Sequence, residues 1–88
     1  MKKRISYISV TKDDGEPAGT IFYDPDDPGV SRFIATSPDG TDLARIIDTN
    51  AEFQVRKTRK RTTVPFPTWQ AAAEEVFGTG IKLDHIWL

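Results

Sequence analysis

The chain has 88 residues, thirteen acids against twelve bases, a net charge of −1 and no cysteine. Such a length makes one domain that buries roughly 60–65% of its unfolded surface, enough for one modest core with little left for a deep substrate cleft. The lack of cysteine excludes a disulfide framework and a thiolate metal site, and no stretch approaches the ~18 consecutive apolar residues of a membrane span.

The opening Met1-Lys2-Lys3-Arg4 has the charge of a signal-peptide start, but Ile5–Val10 is too short and too hydroxylated for its apolar region. A cytoplasmic protein is therefore expected. Ile5–Thr11 is rich in β-branched residues and predicts a first strand. Asp13-Asp14-Gly15 supplies a turn, with glycine free to take positive φ, and Thr20–Tyr23 returns. Asp24-Pro25-Asp26-Asp27-Pro28-Gly29 reads as a loop, because two prolines remove donors and fix φ.

Ser31–Thr36 is a third predicted strand, followed by the turn Ser37-Pro38-Asp39-Gly40. Leu43–Asp48 is the fourth, and Asn50 marks another turn. The fifth starts at Glu52, with Phe53 and Val55 on one face and Gln54, Arg56 and Thr58 on the other. Beyond Val55 both faces turn basic or hydroxylated, so residues 56–64 read as a projecting edge strand or a loop. Pro65-Phe66-Pro67 is expected to stop it.

Thr68 suits an N-cap, and Trp69, Ala72, Ala73, Val76 and Phe77 fall on one stripe of an amphipathic helix over about residues 68–77. Gly78 ends it. Ile81–Leu88 alternates well enough for a last strand or a docked tail. The sum is a single α+β domain over residues 1–88: an antiparallel sheet of about five strands, strongly bent or barrel-like in one version, with one helix packed on it.

Charge is segregated along this plan. From Asp13 to Glu52 ten acids stand against Arg32 and Arg45 alone, whereas residues 56–61 hold Arg56, Lys57, Arg59, Lys60 and Arg61. Lys and Arg on an extended strand can follow a phosphate backbone, or dock on an acidic protein, or only keep an edge from aggregating. Phe66, between two prolines, is the aromatic best placed to join such a site. Asp24, Asp26 and Asp27 form a second, acidic contact loop; they lack the Asp-x-Asp-x-Asp-Gly spacing of a calcium loop. His85 is the only histidine, and no serine has a nucleophile-elbow context, so neither a triad nor a zinc site is expected.

These residues point to a non-enzymatic binding protein with no cofactor, metal, membrane or small-molecule substrate. The partner expected first is a protein or nucleoprotein complex, since a pI near 5.7 is low for a dedicated nucleic-acid binder. Size and plainness alone associate the profile with phage- or plasmid-type inhibitors of a host protein or defence complex, an anti-CRISPR for instance. The alternative is a nucleic-acid-binding module that lays the 56–61 strand on the phosphate backbone.

Overall fold

The computed structural model describes residues 6–23 and 31–87. Seven strands and one helix follow in chain order: β1 Ser6–Lys12, β2 Pro17–Tyr23, β3 Ser31–Thr36, β4 Asp42–Asp48, β5 Phe53–Lys57, β6 Val64–Phe66, α1 Trp69–Phe77 and β7 Ile81–Trp87. All pairings are antiparallel in the order β6-β5-β4-β3-β2-β1-β7. Six strands thus form a meander, and the segment carrying α1 crosses from one edge of the sheet to the other so that β7 can pair with β1. The sheet curls into a half-barrel, and the helix touches β4, β5, β6 and β7 on its inner side.

Strand alternation decides what faces the helix. Ile8, Val10, Ile21, Ala35, Ala44, Ile46 and Val55 point inward and are buried, together with Ala72 and Ala73 of the helix. Their register matches across strands: Ile8 opposes Ile21, Ile21 opposes Ala35, and Ile46 opposes Val55. The two buried alanines let the helix lie close to the sheet. Trp69 anchors its start, with ring centroids 4.9 Å from Phe33 and 4.5 Å from Phe53. Thr68 caps that start by accepting from the Ala71 N–H at 3.1 Å, and the Gly78 N–H closes the other end on the Glu74 carbonyl at 2.8 Å. At Gly19 the sheet lies close against Phe77 at the helix end. A Cβ there would overlap the Thr36 carbonyl oxygen and the Phe77 ring.

The expectation of about five strands is corrected to seven, and the two additions have different causes. The tail, left between strand and docked tail, pairs with β1 from Ser6↔Trp87 to Lys12↔Ile81. The other is β6, in a segment where proline was expected to stop the strand. The Thr58 N–H donates to the Leu43 carbonyl at 2.9 Å, which sets the hydrogen-bond alternation of β5. Arg56 and Gln54 therefore turn their backbone groups to β4, and Val55 and Phe53 turn theirs to β6. Pro65 stands opposite Gln54, where its nitrogen faces away from the ladder. A proline on an edge strand at such a position costs no hydrogen bond.

Candidate functional site

The basic run begins on β5 and leaves it. Lys57 ends the strand, the Lys60 N–H turns back to the Lys57 carbonyl at 3.0 Å, and Arg59 takes a left-handed φ of 74°. Residues 58–63 thus form the loop of the β5–β6 hairpin, and strand alternation ends at Lys57. Arg56, Arg59, Lys60 and Arg61 are exposed. Among the described residues their side chains meet no hydrogen-bond or ion-pair partner. Lys57 differs from them. It shares the inner face with Val55 and pairs with Glu75 of the helix at 3.1 Å.

Two arginines outside the run join it. Arg45 on β4 stands directly opposite Arg56 on β5, in a pair that exchanges backbone hydrogen bonds and so holds the two Cα atoms about 5.5 Å apart. Arg32 on β3 opposes Ile47, one position along the same outer face. Asp42 contributes the local counter-charge, bonding Arg45 at 3.1 Å. Two shallow grooves meet over this cluster. One, of about 280 Å³, is lined by Arg45, Arg56, Lys57, Arg59 and Lys60 with Asp42 and Thr58. The second, of about 180 Å³, lies between Arg32, Arg45, Ile47, Gln54, Arg56 and Thr63. Arg45 and Arg56 line both.

The remaining expected residues fall elsewhere. Phe66 on β6 pairs with Phe53 on β5 and packs half-buried against the core. Asp24, Asp26 and Asp27 lie outside the described residues, as do Lys2, Lys3 and Arg4. His85 is exposed on β7 opposite Ile8. Among the described residues no three His, Asp or Glu side chains gather where an ion could be held, and no helix is long and apolar enough to cross a membrane.

Arg45 and Arg32 were not singled out by the sequence, where they are isolated bases in an acidic segment. A signal was present nonetheless. The turn at Asn50 closes with the Thr49 N–H on the Glu52 carbonyl at 3.0 Å, and counting outward from it brings Arg45 opposite Arg56.

Compared with known proteins, the chain matches no protein-family model, no curated protein and no solved structure. The site must therefore be interpreted from its own chemistry.

Proposed function

We propose that the protein is a non-enzymatic binding protein that grips a polyanionic macromolecule with its basic end, and that the phosphate backbone of a nucleic acid is the anion this end suits best. The observation that carries the reading is Arg45 directly opposite Arg56 on neighbouring strands. Like charges so placed destabilise a sheet, and a bound anion between them converts that repulsion into attraction. Arg59, Lys60 and Arg61 extend the same field along the hairpin loop, and the adjoining grooves are open and shallow, as backbone contact requires. With a formal charge of −1 for the whole chain, this reading relies on the local cluster and not on bulk attraction.

A second reading keeps the surface and changes the partner. Ile34 and Ile47 lie half-buried beside the arginines on the same face, and arginine next to apolar side chains is typical of protein-interface centres. An inhibitor docking on an acidic protein or nucleoprotein surface would use them in that way.

Fluorescence anisotropy with labelled single-stranded DNA, RNA and duplex DNA across a salt series separates the two. Backbone binding predicts a linear fall of log affinity with log salt, and an Arg45→Gln, Arg56→Gln double variant should lower that slope by about 1.4 for a single strand and about 1.8 for a duplex. If no nucleic acid binds even at low salt, the first reading fails and a protein partner takes its place.

A further inference from the structure

The outer face of the sheet carries more than arginines. Following the register across six strands at one level gives an unbroken row: Ile86 on β7, Tyr7 on β1, Phe22 on β2, Ile34 on β3, Arg45 on β4 and Arg56 on β5. The first five are half-buried and Arg56 is exposed. None of the four apolar members belongs to the core or packs against it, since the helix lies on the opposite face. The row thus changes along its length from aliphatic and aromatic to cationic. The adjacent level runs Asp84, Ser9, Thr20, Thr36 and Asp42, which places hydroxyls beside the two rings and an acid at each end.

We infer that this row is a stacking platform for single-stranded nucleic acid, with Tyr7 and Phe22 receiving bases and Arg45 and Arg56 receiving phosphates. The inference rests on the nucleic-acid reading above and names which form of nucleic acid binds. Two aromatics opposed on neighbouring strands stand about 5 Å apart along the row, close to the spacing of successive bases, and Arg45 and Arg56 follow about 10 and 14 Å from Phe22. A single strand laid across the β-strands therefore meets rings first and cations next. A duplex keeps its bases stacked inside and can use only the cations. Charge favours this occupant over an apolar protein patch, because the row ends in two positive side chains, and the acids flanking it, Asp84 beside Ser9 and Asp42 on Arg45, leave Arg56 uncompensated.

The test uses a fluorescein-labelled ten-nucleotide oligouridylate, the matching oligodeoxythymidylate and a duplex of the same length. Tyr7→Leu and Phe22→Leu keep a bulky apolar residue on the strand but remove the flat ring. Each should weaken single-strand binding about tenfold while leaving the salt slope unchanged. Arg56→Gln should instead lower the slope by about 0.7 for a single strand. A further arm needs no variant: ultraviolet cross-linking of the wild type to the thymidylate oligomer should mark the tryptic peptides Ile5–Lys12 and Asp13–Arg32, which contain Tyr7 and Phe22.

Two results overturn the inference while leaving the basic site in place. One is salt-dependent binding that treats duplex and single strand alike and ignores both leucine variants; the other is cross-links confined to residues 57–61. Absence of any nucleic-acid binding at low salt removes the basic site's reading together with it.

Discussion

The two faces of the sheet are ordered by different requirements. On the inner face, opposed residues suit each other as packing partners: Ile8 with Ile21, Phe33 with Ile46, Ala35 with Ala44. On the outer face the same register sets Arg45 against Arg56, a like-charge pairing that Asp42 offsets only on the Arg45 side. Folding needs the first arrangement and gains nothing from the second. A feature that the fold would be better without is the best internal pointer to something outside the fold, and this is why the outer face carries the functional argument.

The inner face should respond to substitution through stability alone. Trp69→Ala removes the ring that Phe33 and Phe53 both pack against, and a loss of about 3–5 kcal/mol is expected for truncating such an aromatic. Urea unfolding measures it. A loss under about 1 kcal/mol, the range of ordinary surface changes, would mean that the helix start is not anchored as described. Gly19→Ala should follow, with about 1–3 kcal/mol lost to overpacking, because the added methyl must displace both the Phe77 ring and the Thr36 backbone. The unfolding midpoint of the Gly19→Ala, Phe77→Leu double variant provides the check. If the Phe77 ring carries part of the clash, the double variant should be less destabilised than the sum of the single ones, and the remaining loss belongs to the Thr36 backbone.

How much of each face could be read from the sequence follows from the same contrast. The inner face is periodic: Phe53 and Val55 on β5, and Trp69, Ala72, Ala73, Val76 and Phe77 on α1, fall at strand and helix spacing. β6 was hidden because its proline looks like a strand breaker until the hydrogen-bond alternation of β5 is known. The outer face is not periodic in any one segment. Its row takes one residue from each of six strands, and only the register collects them, so Tyr7 and Phe22 looked like ordinary strand aromatics. The basic run was plain from local composition, but its continuation to Arg45 and Arg32 required pairing across turns.

Arg56→Glu reverses one charge on the outer face and should act in the direction opposite to the inner-face variants. It replaces the Arg45–Arg56 repulsion with an attraction, so the free protein should become more stable by up to about 1 kcal/mol. Nucleic-acid binding should fall in the same variant. Thermal unfolding of the free protein and anisotropy of the complex, measured together, test the pairing. Stability that falls instead of rising would show that Arg56 already has a compensating contact, and the argument from opposed charges would lose its premise.

The smallest effect belongs to neither face but to the turn that joins β3 to β4. Asp39 accepts from the Ser37 hydroxyl and from the Thr41 N–H at 3.1 Å. The Ser37 bond first, and then the bonds from Thr41, hold its carboxyl below the ordinary value of 3.8. A depressed carboxylate stabilises the folded chain above its unfolded value, and that contribution disappears as pH falls through the lower folded value. Acidification from neutrality should therefore leave the turn unchanged until the pH drops below the usual carboxylate range. Only then should the wild type lose stability that Asp39→Asn has already lost. Carbon-detected NMR titration of the Asp39 carboxyl reads the shift directly. Because the group is fully exposed, solvent screens it and the change in unfolding midpoint should be smaller than that of any variant above. An Asp39 titration at or above the ordinary value would show that its hydrogen bonds do not persist in solution, and the β3–β4 register would then be held by the inner-face pairs alone.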